Sequence, residues 1–348
     1  MKISQILTKD RILELLSRFS QVRAGVIGDL ALDAYWYVDM TRSHLSRETP
    51  HFPRPVVGET YSPGAGGNVA QNLAALGVGQ VKVFSVVGEE PWGKLLQAEL
   101  LRRNIRTQGL LTHPERRTIA YIKPILMGYD SRQEDARLDF ENTLPLTPQA
   151  EEQLLVLFEE QLADLEAVLI ADQLEENGIL TTRVRQRLVE LAQIHTRTVF
   201  LVDSRQRISL YQGMVMKPNR MEALAAWKPE FDPRQASHSD LEEAVQHMAK
   251  QSGRPVFLTL SEEGVLVCTS NEQRHITAAP VRPPLDVVGA GDAFFAALAA
   301  SLAAGGNAWE AGAIANLAAA VTVEKLNQTG TATPAEILER FDLANSSQ

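Results

Sequence analysis

The sequence predicts an α/β fold: a mostly parallel sheet covered by helices on both faces, with a small β appendage. Three observations predict it. From residue 148 onward, apolar strand-like runs alternate with segments of helical periodicity. Two β-like stretches, 34–62 and 118–140, break that alternation. Polar residues close the strand-like runs at Gly28-Asp29, Asp172, Asp203, Asn219 and Thr259. They therefore share one rim, outside the carboxyl ends of the strands, where such folds bind ligands.

Residues 8–20 carry Ile12, Leu13, Leu15, Leu16 and Phe19 at helical spacing, and Arg23 to Ile27 form a buried strand. The stretch 34–62 alternates around Pro50, Pro53 and Pro55 and lacks helical periodicity, so it leaves the main body as β structure. Gly66-Gly67-Asn68 opens a helix through Leu76, followed by a strand over 81–87 and a helix over 92–104. The second excursion runs from Thr118-Ile119-Ala120-Tyr121-Ile122 through a turn at Gly128-Tyr129-Asp130 to Phe140. Helix 148–163, strand 167–171, helix 181–194, strand 198–202 and a short strand at 214–216 come next. Helix 239–251 precedes strand 256–260, Val265–Cys268 is expected to pair with His275–Thr277, and two Ala-rich helices close the core.

A chain of 348 residues with 45% hydrophobic and 22% charged residues is ordinary for a globular protein with a large core. A net charge of −9 argues against a nucleic-acid partner, whose phosphates need a basic surface. The single cysteine, Cys268, allows no internal disulfide and fits a reducing compartment. Residues 1–20 read as an amphipathic mixed-charge helix, not a secretory signal, and no apolar run reaches the ~20 residues of a membrane span. The expectation is a cytoplasmic protein, without membrane or nucleic-acid partners.

The most informative motif is Asp286-Val287-Val288-Gly289-Ala290-Gly291-Asp292 at the start of an Ala-rich helix. Such a turn aims unpartnered backbone N–H groups outward, and the helix dipole adds about half a positive charge there. Asp292 in that pocket reads either as a helix cap or as a general base facing a phosphoryl group in transfer. Gly88-Glu89-Glu90-Pro91-Trp92-Gly93-Lys94 has P-loop spacing, but Leu95 stands where a Ser or Thr must hold magnesium, so a turn into a helix is the better reading. Asn219 and Glu222 form either a capping box or a support for a hydrated magnesium ion. Gly66, Gly67 and Asn68 allow close backbone approach to a hydroxyl-rich ligand. Asp29 and Asp33 suit a clamp on vicinal sugar hydroxyls.

Together Gly28 to Asp33, Gly66-Gly67-Asn68, Asn219-x-x-Glu222, Gly289-Ala290-Gly291-Asp292 and Ile314-Ala315-Asn316 make the chain resemble the ribokinase-like (PfkB) carbohydrate kinases over nearly its whole length. Within that family it is most similar to the kinases of heptose 7-phosphate in lipopolysaccharide-precursor synthesis. Gly28 to Tyr37, Arg137 to Glu141 and Lys325-Leu326 before Gly330-Thr331-Ala332-Thr333 carry that likeness. The resemblance implies a single kinase domain over 1–348: a three-layer sandwich with a β lid formed by 34–62 and 118–140, which pairs two subunits into a homodimer. It implies ATP and Mg2+ as cofactors, with Asp292 as base and the amides of Gly289, Ala290 and Gly291 as anion donors. Asn219, Thr259, Ser261, Gly264 and Asn316 would flank the nucleotide, and Asn219 and Glu222 would hold magnesium through water. Asp286 and carbonyls around Thr329-Gly330-Thr331 would hold a monovalent cation such as K+. Asp29, Asp33, Gly66, Gly67, Asn68, Arg137 and Arg205 would bind the sugar, with Arg42, Arg47, Arg54, Lys123 and Arg132 as further cations for a sugar phosphate. The expected reaction is phosphorylation of the 1-hydroxyl of heptose 7-phosphate. The alternatives are a neutral-sugar or nucleoside kinase, or a non-catalytic sugar-binding protein. Three positions depart from the family pattern: Val288 replaces a Thr, Asp172 to Gly178 lacks the lysine of Asp-Tyr-x-Lys-Gly, and Asp203-Ser204-Arg205 replaces Asp-Pro-Lys.

Overall fold

Alternating side chains on the parallel strands divide the interior into two apolar cores, and the helices cover one each. Of β9 (Ala167–Asp172), Ala167, Leu169 and Ala171 face one core while Val168 and Ile170 face the other. Strand β10 (Val199–Ser204) divides likewise, with Leu201 on one side and Phe200 and Val202 on the other. Buried on both faces, such strands read as continuous apolar runs. The computed structural model describes residues 1–326 and 330–346.

The main sheet has nine strands. Four of its members are β1 (Arg23–Gly28), β4 (Gln80–Val87), β5 (Ile105–Thr112) and β11 (Val215–Met216), and β12 (Val256–Thr259), β13 (Val265–Cys268) and β14 (Gln273–Ile276) complete it with β9 and β10. Their order is β14-β13-β12-β11-β10-β9-β1-β4-β5. All neighbours from β5 to β12 are parallel, and β13 turns back antiparallel. Two details differ from the expectation. Val265–Cys268 pairs with Gln273–Ile276, not His275–Thr277, because the turn closes at Thr269–Glu272. Strand β5, unanticipated, forms the opposite edge; its burial alternates through Ile105, Thr107 and Gly109.

One core is covered by α1 (Lys9–Arg18), α2 (Gly66–Ala75), α8 (Ala290–Ala303), α9 (Ala308–Thr322) and α10 (Pro334–Ser346). Helix α8 is apolar around its whole circumference, as a helix enclosed by neighbours must be. Helix α10 was also missed, although Ile337 and Phe341 lie one turn apart and are buried. The other core is covered by α4 (Pro148–Leu162), α5 (Thr182–Ile194), α6 (Arg220–Trp227) and α7 (His238–Ser252).

The two β excursions meet in a separate five-stranded sheet. Its strands are β2 (Leu30–Asp39), β3 (Val56–Ala65), β6 (Ile119–Met127), β7 (Arg132–Glu134) and β8 (Leu138–Phe140), ordered β3-β2-β6-β7 with β8 also on β6. Only Asp29 separates β1 from β2, so the core sheet feeds this one directly. Trp36 and Tyr61 pack toward the core. The P-loop look-alike is indeed a turn into a helix: Glu90 immediately precedes α3 (Pro91–Arg102), and its carboxylate bonds not the helix start but the Thr118 N–H at the foot of β6.

Ala65, where β3 enters α2, has φ +50° and ψ −128°, a conformation that glycine adopts freely and a β-carbon resists. Ala65→Gly is therefore expected to raise stability by about 1 kcal/mol, the strain typical of such residues. Thermal melts of the two proteins check this, and a lower melting point for the glycine variant would remove the strain assignment.

Candidate active site

The parallel strands deliver polar groups to one rim, where the first of them has a structural duty. Gly28 lies so close to β9 that a Cβ would stand 2.2 Å from the Ala171 carbonyl. Asp29, next in the chain, is 1% exposed. Its carboxylate accepts the backbone N–H groups of Gln173 (3.2 Å), Leu174 (3.0 Å) and Ile179 (2.8 Å). Burial pushes its pKa up to about 6, against the pull of those donors. Expected to clamp sugar hydroxyls, Asp29 anchors the loop after β9 in this structure through those three bonds.

Two arginines that sequence reasoning did not single out hold the same loop. Arg207 grips buried Asp172 through Nη2 (2.5 Å) and Nε (3.1 Å) and also donates to the Leu174 and Glu175 carbonyls. Arg116, 5% exposed, donates to the Asn177 carbonyl at 2.8 Å. Glu175 and Glu176 at the loop tip are exposed.

At the centre lies Asp292, in the first turn of α8. Gly289 before it is left-handed (φ +81°), which turns the chain into the helix. The Asn68 amide, at the start of α2, donates to Asp292 Oδ2 at 2.5 Å. Dense surrounding protein raises the Asp292 pKa to about 7; neighbouring Asp203 adds to the rise, while Asn68 and Lys217 oppose it. Lys217 is itself buried and pairs with Asp203 at 3.1 Å. Its ammonium lies 3.9 Å from where a Cβ on Gly291 would sit, so a cation faces the helix start. Burial would lower the Lys217 pKa, but Asp203, Glu222 and Asp292 hold it above the ordinary value, so it is charged. The Ala290 N–H, expected among the anion donors, is instead committed to the Val287 carbonyl at 3.2 Å.

On the side toward the small sheet, Asp33 pairs with Lys123 at 3.1 Å, and Lys123 also reaches the Tyr35 hydroxyl at 3.3 Å. Asp33 lies beside Tyr121 in the β2–β6 register. Gly64 faces the Asp33 carboxylate, where a Cβ would stand only 3.1 Å away. Arg137 covers the Tyr121 ring at 4.5 Å and forms a bidentate pair with Asp139. Arg205, after β10, donates to Gln173 Oε1 at 3.2 Å. Burial raises the Tyr121 pKa, and the charges of both Arg205 and Arg137 act on it, so these elements converge. Arg54 pairs with Asp135, and Arg132 lies over the Tyr37 ring at 5.3 Å.

On the other side, Asn219 and Glu222 form a reciprocal capping box at the start of α6. Burial raises the Glu222 pKa while Lys217 pulls it down. Thr259 N–H bonds the Pro218 carbonyl, which brings β12 beside Asn219. Ser261 and Gly264 are both left-handed, at φ +52° and +101°, in the tight turn that follows. A Cβ on Gly264 would collide with the Ile276 carbonyl at 2.2 Å. Asn316 donates its amide to the carbonyls of Ile276 and Thr277, so it ties α9 to the same place.

Among the described residues, no group of three or more His, Cys, Asp or Glu side chains could hold a metal ion, and no helix is long and apolar enough to cross a membrane. Glu222 with Asn219 offers one carboxylate and one amide, joined in the capping box. Of the residues expected to hold a monovalent cation, Asp286 accepts the Val288 N–H at 3.0 Å. The Thr331 carbonyl accepts the Lys325 ammonium at 2.6 Å, and Thr329 lies outside the described residues.

Comparison with known proteins decides the family. The profile of the pfkB family carbohydrate kinases matches residues 27–336. The chain belongs to the pfkB family of carbohydrate kinases. This pfkB kinase is 34% identical over 332 residues to the Bifunctional protein HldE of Trichlorobacter lovleyi, covering 94% of the chain. It is 33% identical over 339 residues to the protein of the same name from Pelobacter propionicus, covering 95%. It spans 65% and 66% of the length of those two relatives. Phosphofructokinase-2 of Escherichia coli, crystallised with potassium, superposes with a TM-score of 0.72 at 20% identity, over 93% of this chain and 99% of that one. Ribokinase of Thermotoga maritima gives 0.66 at 20% identity, over 92% and 99%. The pfkB kinase thus has the ribokinase-like α/β fold, and it is a phosphotransferase acting on a carbohydrate.

Proposed function

We propose that this kinase transfers the γ-phosphoryl group of ATP to the 1-hydroxyl of heptose 7-phosphate, with Asp292 as general base. The observation that carries the reading is Asp292 in the first turn of α8, held by Asn68 and facing Lys217 beside Gly291. Asp292 takes the proton of the sugar hydroxyl, the freed oxygen bonds to phosphorus, and the bond between the γ-phosphorus and the bridging oxygen breaks to release ADP. The N–H groups at the helix start and the Lys217 ammonium stabilise the charge that develops on the transferred group. Glu222 and Asn219 would hold magnesium through its water, and the ion would neutralise phosphate charge. The nucleotide lies along Asn219, Thr259, Ser261, Gly264 and Asn316. The small sheet serves as a lid that excludes water from the reaction.

Asp33, Tyr121, Lys123, Arg137 and Arg205 supply the sugar end with hydroxyl acceptors and cations. The motif likeness of Arg137 to Glu141 and the relatives named HldE support a heptose phosphate. Arg137 is already paired with Asp139, which makes Arg205 the first choice for the substrate phosphate. Exposed Val56 and Val57 on the edge strand β3, with Leu138 on β8, support a homodimer through the lid.

The test compares kcat/KM for heptose 7-phosphate with that for free hexoses, pentoses and nucleosides, in the wild type, Arg205→Ala and Arg137→Ala. Arg205→Ala is expected to lower kcat/KM for the phosphorylated sugar by about tenfold or more and leave neutral sugars unchanged, since only the former loses a charge-assisted contact. A preference for an unphosphorylated sugar, untouched by either substitution, would replace heptose 7-phosphate with a neutral sugar. Glu222→Gln is expected to move the magnesium titration of activity to higher concentration, because an amide attracts a hydrated cation less than a carboxylate does. Superimposable curves would leave Glu222 as a helix cap only.

A further inference from the structure

The side chain that holds Asp292 is itself held, and the direction of every hydrogen bond behind it can be worked out from one fixed end. Asn72 Nδ2 lies 2.9 Å from the backbone carbonyl of Asn68. A carbonyl only accepts, so the Asn72 amide must present its NH2 there. The same NH2 reaches the side-chain oxygen of Asn68 at 3.2 Å, and Gln71 Nε2 reaches it at 2.6 Å. Two donors thus converge on one atom of the Asn68 amide, which must be Oδ1, and Nδ2 is left to face Asp292 at 2.5 Å. Asn68, Gln71 and Asn72 are 2%, 5% and 1% exposed, so water does not substitute for any of these partners. Asn72 Oδ1 is left buried without a donor, a rare condition. The alternative orientation of that amide would set oxygen against oxygen at Asn68.

We propose that Gln71 is a positioning residue: by donating to Asn68 Oδ1 over a shorter distance than Asn72, it acts with Asn72 to fix the polarity of the Asn68 amide, so that an N–H and not a carbonyl meets Asp292. An amide turned the other way would set Oδ1 against a carboxylate, repel the ionised form and withdraw the base from its charged state. Asp33 on β2, Asp203 on β10 and Lys217 after β11 also act on Asp292; Asp33 pairs with Lys123 and Asp203 with Lys217, whereas Gln71 bonds Asn68. The proposal rests on the reading of Asp292 as the base only for its effect on turnover; the effect on Asp292 itself stands apart from it.

The experiment therefore reads both. Gln71→Met keeps the length and helix preference of the side chain and removes the donor, and Gln71→Glu replaces the donor with an acceptor. The Asp292 carboxyl is titrated by carbon NMR in each variant, alone and combined with Asn68→Ala. The titration midpoint is expected to move upward in Gln71→Met and further in Gln71→Glu. With any accepted sugar, kcat is expected to fall about tenfold, part of what a general base supplies, while KM for ATP stays within about twofold. In the Asn68→Ala background the Gln71 substitutions are expected to add nothing, since Gln71 acts through Asn68. An unmoved midpoint in both Gln71 variants, or equal shifts with and without Asn68, would overturn the proposal. A wild type that turns over no sugar would defeat the kinase reading and leave the titration result to stand or fall by itself.

Discussion

Asp292→Asn is expected to lower turnover by about a hundredfold or more, the share a general base contributes, while nucleotide binding persists. The substitution keeps the shape of the side chain, and its amide oxygen still accepts the Asn68 N–H, so the site stays assembled. It is also expected to make the protein more stable above neutral pH. Asp292 titrates near 7 in the folded protein, against 3.8 as its ordinary value, because burial and Asp203 disfavour its charge. The unfolded chain therefore releases this proton at lower pH than the folded one. The stability contribution of the group is fully present below about pH 4, declines as pH rises, and is gone once the pH has passed about 7. The asparagine variant has no such loss. Melting curves at pH 5 and pH 8 should show the variant's advantage growing with pH, and wild-type activity should fall away below pH 7 as the base protonates. Near-normal turnover in the variant would remove Asp292 from the role of base.

Asp29→Ala is expected to cost several kcal/mol of stability. It leaves three backbone N–H groups, of Gln173, Leu174 and Ile179, without their acceptor, at about 1–3 kcal/mol for each buried donor. Asp29→Asn, which retains one acceptor oxygen, should fall between. The measurement is thermal or denaturant unfolding together with amide exchange in residues 173–179, which should lose protection. A sugar clamp behaves differently: its removal raises KM and spares the melting point. An unchanged melting point with a raised KM would restore Asp29 to the substrate.

Much of the architecture was legible because it rests on local periodicity. The parallel strands are apolar runs, and the helices between them carry caps that can be read in place, such as Asn219 with Glu222. Strand β5 escaped because its alternation includes Arg106 and Gln108 and starts directly behind a helix. The base motif could be found because Gly289 to Asp292 are contiguous. Lys217, Arg207 and Arg116 could not, since their duties come from partners far along the chain or across the sheet. Asp29 shows the same limit from the other side. Its position at a strand end is visible in the sequence, but the donors that engage its carboxylate arrive from 144 to 150 residues later.

The tethering of residues 173–179 has an evolutionary consequence. Asp29, Arg207 and Arg116 grip this segment by its backbone, through N–H groups and carbonyls that every substitution short of proline retains. The path of the chain is thus set from outside the segment and by Asn177 and Gly178 within it, and the exposed side chains of Glu175 and Glu176 are not needed to maintain it. Drift at those two positions can change the charge presented at the rim without endangering the scaffold. New preferences can be sampled there one mutation at a time, from a platform that stays still.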